Sequence, residues 1–380
     1  MTFYFDNAAT TKIKPEVLKA MMPYLTEEYG NPSSIYHIGR SAKKAIDTAR
    51  SQVASLINCD KSEIFFTGCG TESDNTAIKG IAYINKEKGN HIITSKIEHH
   101  AILESCKTLE KQGFEITYLN VNSDGKVNID ELKNSITEKT VLISIMFANN
   151  EIGTIEPIKE IAKIAHDNNI VFHTDAVQAL GNIPIDVKTM DIDMLSMSGH
   201  KIHAPKGIGA LYVKKGIEFE KFLNGGHQEK NKRAGTENLA GIVGMGKACE
   251  IAKENIDFHI RHLKKLRDYF NEEIKKNIEN IKINGSIENR LPGNSNITFL
   301  GVDSTALLLE LDKKGICTSS GSACNSEEET PSHVLTAIGL EKDEAKSTLR
   351  ITFGEFNTKA EVDFLIQNII KIVKKIRAEN

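Results

Sequence analysis

Two polar residues, an acid and an amine, follow apolar stretches of the chain and could do chemistry together. Asp175 ends the stretch 171–175, which begins with apolar residues, and Lys201 ends the polar stretch 198–201, which follows a second apolar segment. An apolar, β-branched segment that ends in polar residues is typical of a buried parallel strand. Such strands deliver side chains to the carboxyl edge of the sheet, where α/β enzymes bind ligands. We therefore expect Asp175 and Lys201 to meet at one edge of a sheet.

An acid and an amine placed in this way are what a pyridoxal phosphate enzyme needs. A carboxylate beside the ring nitrogen keeps the pyridinium protonated as an electron sink, and an amine holds the cofactor aldehyde as a Schiff base. Asp175 would supply the carboxylate and Lys201 the amine. Either residue alone is also explained as an ordinary polar residue at a strand end, so the hypothesis depends on further motifs.

A glycine-rich turn offers a place for the cofactor phosphate. It follows the apolar segment 64–66 and precedes a helix-like pattern over 75–84. A turn from a strand into a helix presents unpaired backbone N–H groups and the positive end of the helix dipole, both of which attract anions. Gly70 and Thr71 are the predicted phosphate contacts, although many turns of this kind are only helix caps.

Other polar residues follow predicted strands and should reach the same edge. His99 could stack on a pyridine ring and move protons near neutral pH, or it could simply cap a helix. Asn150 and Gln178 each offer an amide to a ring oxygen. Arg350 is a candidate for a bidentate bond to a substrate carboxylate, with a surface ion pair as the alternative.

One cysteine lies in surroundings that differ from those of the other five. Cys324 belongs to the stretch 318–326, which is rich in small hydroxylated residues and glycine. We expect an exposed segment that cannot bury a thiol, so Cys324 should be available for chemistry. No two cysteines have the spacing of a zinc or redox motif, and the others should be thiols that act as small buried apolar side chains. These five are Cys59, Cys69, Cys106, Cys249 and Cys317.

The elements that would position these residues alternate between strand and helix from about residue 64 to residue 213. Alternation of this kind predicts a mostly parallel sheet with helices on both faces. The last strands of this region could run antiparallel, because the segment 202–206 between them is too short for a helical crossover. Beyond a long helix at about 237–277 and a Gly-, Pro- and Asn-rich segment at 284–294, the pattern suggests a smaller α+β domain.

Length and charge narrow the classes of function. A chain of 380 residues is too long for one core of usual size, which favours a large domain and a smaller one. With 48 basic and 51 acidic residues, the net charge of −3 favours neither nucleic acid nor an anionic membrane. The longest apolar run, 141–148, is too short to span a membrane, and the first residues lack the pattern of a signal peptide. We expect a cytoplasmic protein whose partners are small molecules or proteins.

Together these motifs resemble a known family, the cysteine desulfurases of the NifS/IscS type, which are pyridoxal phosphate enzymes of the aspartate aminotransferase fold. The resemblance spans nearly the whole chain. Its most specific motif is 319–324, which looks like the long-loop class of desulfurases, whose cysteine delivers sulfur to partner proteins. The motifs that carry the resemblance are 6–11, 30–34, 70–73, 149–153, 198–201, 233–238 and 319–324.

The resemblance implies an α/β architecture, PLP fold type I, with a mostly parallel seven-stranded sheet in a large domain and a smaller α+β domain. The large, cofactor-binding domain would span 15–260, and the small domain would combine 1–14 with 261–380 and carry the cysteine loop. The resemblance also implies a homodimer with a shared active site.

Residue roles follow from the resemblance by position. Lys201 would be the Schiff-base lysine, Asp175 the partner of the pyridinium and His99 the residue stacked on the ring. The other implied contacts are Gly70, Thr71, Ser198 and His200 to the phosphate, Thr236 to the phosphate from the second subunit, Asn150 and Gln178 to the ring hydroxyl side, and Asn31 and Arg350 to the substrate carboxylate. Ala204, His227 and Glu355 depart from the family pattern, and we expect the acidic Glu355 to lie near Arg350.

The implied reaction removes sulfur from L-cysteine and gives L-alanine and a persulfide on Cys324. Lys201 takes the α-proton, and the Cys324 thiolate attacks the substrate sulfur before its loop carries the sulfur to an acceptor. The acceptor could be an iron–sulfur scaffold, a tRNA-thiolation protein or a cofactor pathway. No resident metal and no direct contact with nucleic acid or membrane are expected, although Cys324 could touch a cluster on a scaffold transiently.

Two kinds of alternative remain open. One is another reaction on the same fold, such as that of an aminotransferase, a β-lyase or a selenocysteine lyase. The other is a sulfur-carrying protein that kept the fold without turnover, against which the presence of Asp175, Lys201 and Cys324 argues.

Overall fold

A large β-sheet and two smaller ones organise the chain. The computed structural model describes residues 2–321 and 331–379, and within them the strands form sheets of seven, three and two strands. In chain order the strands are β1 (Phe3–Tyr4), β2 (Ile64–Thr67), β3 (His91–Ser95), β4 (Glu115–Leu119), β5 (Thr140–Ser144), β6 (Val171–Asp175), β7 (Met194–Ser198), β8 (Gly209–Val213), β9 (Ile281–Ile283), β10 (Asn294–Phe299), β11 (Ile316–Cys317) and β12 (Thr348–Thr352).

One strand of the large sheet runs against the others. The strand order is β2-β8-β7-β6-β5-β3-β4, and β8 pairs antiparallel with both β2 and β7, while the remaining pairs are parallel. The predictions of a mostly parallel sheet and of an antiparallel final strand are both confirmed. The chain between β7 and β8 is short, and only antiparallel neighbours can be joined without a long crossover. The carboxyl ends of β3, β5, β6 and β7 therefore lie along one edge.

Different helices cover the two faces of this sheet. The apolar residues that predicted a helix over 42–57, such as Ile46 and Val53, belong to the buried cluster of one face. Leu142 and Ile143 are neighbours in β5 and belong to opposite clusters, because successive side chains of a strand point to opposite faces. The helices are α1 (Pro15–Thr26), α2 (His37–Ile57), α3 (Gly70–Ile84), α4 (His100–Glu110), α5 (Ile129–Ser135), α6 (Ile158–Asp167), α7 (Gln228–Asn231), α8 (Leu239–Asn277), α9 (Ser304–Asp312), α10 (His333–Ala337), α11 (Lys342–Lys346) and α12 (Lys359–Glu379).

The smaller sheets have a buried cluster of their own. The order of the three-stranded sheet is β12-β10-β9, and the buried residues of β10, β12, α12 and the second half of α8 form this cluster. Phe5, close to the start of the chain, is fully buried in it. β1 pairs parallel with β11, so the first residues pack with the last hundred. The domain bounds 15–260, and 1–14 with 261–380, stay a prediction.

The helices give no sign of a membrane anchor in the described ranges. Within residues 2–321 and 331–379, no helix is both long enough and apolar enough to cross a bilayer.

Candidate active site

A cavity of about 240 Å³ opens at the carboxyl edge of the large sheet. Most of the residues predicted to do chemistry line it, although they come from distant parts of the chain. The predicted residues that line the cavity are Gly70, Thr71, His99, Asn150, Asp175, Gln178, Ser198, His200, Lys201 and Arg350.

The N-terminal segment of the chain holds the lysine in place. Lys201 ends a single 3₁₀ turn that follows β7, and its Nζ donates hydrogen bonds to the carbonyl oxygens of Ala8 and Ala9, the second at 2.8 Å. Gln178 Nε2 donates to the same Ala8 oxygen at 3.0 Å. The motif 6–11 was predicted to matter only through the family resemblance, and the contact of Ala8 and Ala9 with Lys201 accounts for its place in the site.

The acid predicted to face the ring nitrogen lies where β6 ends. Asp175 is 6% exposed, and its Oδ1 accepts a hydrogen bond from the Val177 backbone N–H at 2.9 Å. Burial raises the pKa of Asp175 to about 6, while the Val177 N–H and the charge of Lys201 act in the opposite direction. A cationic ring nitrogen placed against this carboxylate would favour its ionised form further.

A second acid in the cavity wall was missed by the sequence analysis. Asp74 is 1% exposed, and its Oδ1 has no hydrogen-bond partner among the residues that the structure describes. This oxygen lies 3.8 Å from Nε2 of His173, whose ring also bonds the hydroxyls of Ser144 and Ser196, each at 2.9 Å. Asp74 comes four residues after Gly70 and therefore lies on the same face of α3, which is the one sequence signal that could have found it.

The charge state of this buried network follows from its environment. Burial and the nearby Asp175 carboxylate raise the pKa of Asp74 well above its usual range, which favours the protonated form of this acid. Burial lowers the pKa of His173 to about 3, so its ring is neutral. The surroundings of Asp74 and His173 therefore disfavour a second full charge beside Asp175.

Glu98 is a further buried acid, next to His99 in the chain. Its Oε1 accepts hydrogen bonds from the Ser95 hydroxyl at 2.6 Å and from the Met146 N–H at 2.9 Å. Its Oε2 has no partner in the described part of the chain. Burial raises the pKa of Glu98 to about 8.

His99 caps a helix, which is the alternative role that its position suggested, while its role at the cofactor ring stays a prediction. It precedes α4 and caps it, since its Nδ1 accepts a hydrogen bond from the Ala101 N–H at 3.1 Å. Burial and the charge of Lys201 lower the pKa of His99 to about 4, so the ring is neutral at pH 7. Because Nδ1 is the acceptor, the single ring proton lies on Nε2. His99 therefore contributes an N–H donor to the cavity.

The start of α3 forms the end of the cavity that was predicted to bind phosphate. In the described structure, the side chain of Cys69 does not cap the first-turn amides of this helix. A Cβ at residue 70 would lie 2.8 Å from Val177 Cγ2 and 3.3 Å from Ser198 Cβ, so the close approach requires a glycine. Amides of this kind, at a helix N-terminus, bind anions well. Burial and the charge of Lys201 lower the pKa of His200 to about 4, so His200 would meet an anion as a neutral donor.

The candidate carboxylate-binding residue, Arg350, is held by an acid that the sequence analysis did not connect with it. Arg350 lies in β12, is 1% exposed and donates through Nη2 to Asp6 Oδ1 at 2.9 Å and through Nη1 to the carbonyl oxygen of Asn150 at 3.1 Å. Glu355, the acid expected near Arg350, instead forms an ion pair with Lys14 at 2.7 Å.

Three predicted residues are not among those that line the cavity. Asn31 is exposed, and its Oδ1 accepts a hydrogen bond from the Ser33 N–H at 2.9 Å. Thr236 lines a separate cavity of about 110 Å³ together with Gly68. Cys324 falls in 322–330, outside the described residues. The roles predicted for all three stay predictions.

The residues that border 322–330 lie close to the cavity. Ser319 and Arg350 exchange backbone hydrogen bonds of 2.6 and 3.1 Å. A Cβ at Gly321 would lie 3.5 Å from Glu151 Oε2, and the Ser332 hydroxyl donates to that same oxygen at 2.6 Å. Both borders of this segment thus lie beside Glu151, which follows the cavity residue Asn150 in the sequence.

The prediction that five cysteines are buried is wrong for Cys69. This residue is exposed and lines the cavity, because it occupies the position just before α3 at the cavity wall. Cys106 and Cys249 are buried as predicted, and Cys59 and Cys317 are half-buried.

Comparison with known proteins agrees with this geometry. The family model "Aminotransferase class-V" matches residues 3–365. "Cysteine desulfurase IscS" from Clostridium botulinum is 52% identical over 376 residues, which cover 98% of this chain and 95% of that protein. A solved structure described as a NifS-like protein is 37% identical, covers 99% of this chain and 100% of its own, and superposes with a TM-score of 0.93. A second, "SspA in complex with cysteine", is 38% identical, covers 94% of this chain and 100% of its own, and gives a TM-score of 0.83. As the motifs predicted, the chain belongs to the class-V aminotransferase family and, within it, to the NifS/IscS group.

Proposed function

We propose that this protein is a cysteine desulfurase, which uses pyridoxal phosphate to convert L-cysteine into L-alanine and leaves the sulfur as a persulfide on Cys324. The observation that carries the proposal is the meeting of Lys201, Asp175, His99 and Arg350 in one cavity. The name of the Clostridium botulinum relative and the cysteine bound in the SspA structure support it.

The groups around the cavity fit pyridoxal phosphate. The amides at the start of α3, beside Gly70, would hold its phosphate, and the buried carboxylate of Asp175 would hold its protonated ring nitrogen. Lys201 Nζ is the amine that would bind its aldehyde. When bound, this cofactor supplies an electron sink for the substrate α-carbon. Enzymes of this family generally depend on it.

Lys201 would move the substrate α-proton. The carbonyl oxygens of Ala8 and Ala9 hold Nζ in the cavity, so the amine keeps a fixed position when it is not bound to the cofactor. As a neutral amine, Nζ can accept the proton of the α-carbon and later give a proton back. Ala8 also receives a hydrogen bond from Gln178, which ties the ring side of the cavity to the same backbone oxygen.

His99 and Arg350 would orient the amino acid. Arg350 lines the cavity and presents a guanidinium, the group that binds a carboxylate with two parallel hydrogen bonds. His99 keeps its single ring proton on Nε2, so it can donate that proton to a substrate atom while its Nδ1 stays bonded to the helix. The low pKa of His99 keeps this donor neutral across physiological pH.

Cys324 would accept the sulfur. Its thiolate attacks the substrate sulfur, an S–S bond forms, and the Cβ–S bond breaks. The electron pair stays with the substrate β-carbon, which takes up a proton, so the products are alanine and a persulfide. The support for Cys324 is the composition of 318–326, together with the borders of 322–330, which lie beside Glu151 near the cavity.

We further propose that the protein works in the cytoplasm as a homodimer and passes sulfur to an iron–sulfur scaffold or another acceptor protein. In the dimer, Thr236 would reach the phosphate site of the second subunit. Thr236 does not line the cavity that its own chain forms around Gly70, and its place in a separate cavity supports this role.

Product analysis tests the proposed function. Protein purified with pyridoxal phosphate is incubated with L-cysteine, alanine is quantified, and the residue that gains sulfur is identified by mass spectrometry. We expect one alanine for each sulfur released and a persulfide on Cys324. The Cys324→Ala variant should bind the cofactor normally and lose alanine production, whereas Cys317→Ala, a matched control on β11, should keep it.

Other results would favour the alternatives. Pyruvate or another keto acid as the product would indicate a β-lyase or an aminotransferase. A marked preference for selenocysteine would indicate a selenocysteine lyase, and a protein that does not bind the cofactor would indicate a sulfur carrier. Full activity of Cys324→Ala would reject this residue as the sulfur acceptor.

A further inference from the structure

An ion pair between the buried Arg350 and the half-buried Asp6 fixes the arginine that is proposed to bind the substrate carboxylate. Asp6 Oδ1 accepts a hydrogen bond from Arg350 Nη2 at 2.9 Å, and the carbonyl oxygen of Asn150 accepts one from Nη1 at 3.1 Å. Arg350 lines the cavity, whereas Asp6 is not among the described residues that do. Asp6 therefore holds the guanidinium without occupying the space that a substrate would take.

The remaining donors of this guanidinium suit a second carboxylate. Arginine has five N–H donors, of which the contacts to Asp6 and Asn150 use two. The Nε–H of Arg350 is buried and has no hydrogen-bond partner within residues 2–321 and 331–379. A buried donor without a partner is unfavourable until something accepts its hydrogen bond. An amino-acid carboxylate could accept it, together with a hydrogen of a terminal nitrogen.

Backbone pairing keeps Asp6 beside Arg350 when a substrate binds. Thr352 N–H donates to the carbonyl oxygen of Phe5 at 2.7 Å, and Phe5 N–H donates to that of Cys317 at 2.9 Å. Asp6 itself forms an isolated bridge with Thr352. Because both neighbouring strands hold this segment, the Asp6 carboxylate stays in place, and a bound substrate must share the guanidinium with it.

We propose that Asp6 is a positioning residue that limits how much of the Arg350 charge is available to the substrate carboxylate, and that it thereby sets the KM for amino acids. The inference rests on the proposed function, because it requires Arg350 to bind the carboxylate of cysteine. Two carboxylates at different edges of one guanidinium, about 7 Å apart at an effective dielectric constant of about 20, repel each other by an amount equivalent to roughly 50-fold in affinity. Side-chain and solvent relaxation reduce this figure, so we expect at least about five-fold.

The Asp6→Asn variant separates charge from position. Asparagine keeps an oxygen at Oδ1 for the bond to Arg350 and removes the negative charge. We expect the KM for L-cysteine and the dissociation constant of the product L-alanine to fall at least about five-fold, with kcat unchanged within about two-fold. Glu355→Gln is the matched control, because it neutralises an acid that pairs with Lys14 instead of Arg350, and it should change neither constant.

A ligand without a carboxylate supplies the second control. Cysteamine has the amine and the thiol of cysteine but lacks the carboxylate, so its dissociation constant should be the same for the wild type and for Asp6→Asn. An unchanged or increased KM for L-cysteine in Asp6→Asn would overturn the inference. An equal change for cysteamine and for L-alanine would overturn it as well, because the effect would then not depend on a carboxylate.

A loss of stability in the Asp6→Asn variant can also be used to test the inference. Loss of Asp6 leaves the buried Arg350 without its counter-charge, which destabilises a fold. If Asp6→Asn is less stable than the wild type, the thermal stability of both proteins is measured with L-alanine and with cysteamine. A larger stabilisation of the variant than of the wild type by L-alanine, with no such difference for cysteamine, supports the inference, and equal stabilisation of both proteins by L-alanine contradicts it. A wild type that makes no alanine from cysteine would refute the proposed function, whereas an active wild type with an unaffected variant refutes only the role of Asp6.

Discussion

Replacement of Glu98 by glutamine should stabilise the protein in a way that depends on pH. Burial raises the pKa of Glu98 from 4.5 to about 8, so at pH 7 the carboxyl is ionised in the unfolded chain and protonated in the folded one. Folding at pH 7 must therefore take up a proton, which costs roughly 3 kcal/mol. Glutamine can accept the same hydrogen bonds from Ser95 and Met146 and needs no proton.

The sign of the pH dependence follows from the raised pKa. The contribution of Glu98 to stability is fully present below pH 4.5 and is lost as the pH rises through about 8. The advantage of Glu98→Gln over the wild type should thus grow by roughly 1.4 kcal/mol for each pH unit between these limits. Urea unfolding of both proteins from pH 4.5 to pH 8.5 measures it, with the exposed Glu87→Gln as a control for the substitution itself. A difference that does not change with pH would refute the protonated state of Glu98.

Two more predictions concern the phosphate end of the cavity and the opposite edge of the sheet. The Gly70→Ala variant should bind pyridoxal phosphate at least about ten-fold more weakly and be less stable by about 1–3 kcal/mol, because the Cβ of the alanine would overlap neighbouring side chains. Cofactor titration measures the first effect, and thermal unfolding measures the second. At His166, burial disfavours the charged ring, but the hydrogen bonds and charges of Asp193 and Asp191 outweigh it and raise the pKa. The stabilisation from the charged His166 ring is present below the ordinary histidine pKa and is lost as the pH rises through the raised pKa. The His166→Gln variant should therefore lose more stability at pH 6 than at pH 9. Equal losses in thermal unfolding at both pH values would contradict this prediction.

The residues that sequence patterns located best are those that follow strands. Asp175, Lys201 and His99 each come after an apolar stretch, and this local pattern fixes both the strand and the edge at which it ends. Parallel strands share one carboxyl edge, so residues far apart in the chain could be assigned to one cavity before any coordinates were known.

The contacts that could not be predicted from the sequence are pairs of side chains that no local sequence pattern connects. Asp6 and Arg350 are 344 positions apart, and no periodicity or motif indicates which acid meets this arginine. Glu355 is the closer acid in the sequence, yet it pairs with Lys14, which lies just before α1. Cys69 was expected to act as a small buried apolar side chain, like the other structural cysteines, whereas it lies just before α3 at the cavity wall and is exposed.

The contacts of the N-terminal segment also determine the order in which the site can be completed during synthesis. Ala8 and Ala9 hold Lys201, and Asp6 holds Arg350, so the first residues to leave the ribosome find their partners last. Until residue 350 has been translated and has emerged, Asp6 lacks the arginine with which it pairs. A nascent chain that stalls before β12 would therefore contain the large sheet and Lys201 but lack the Asp6–Arg350 ion pair.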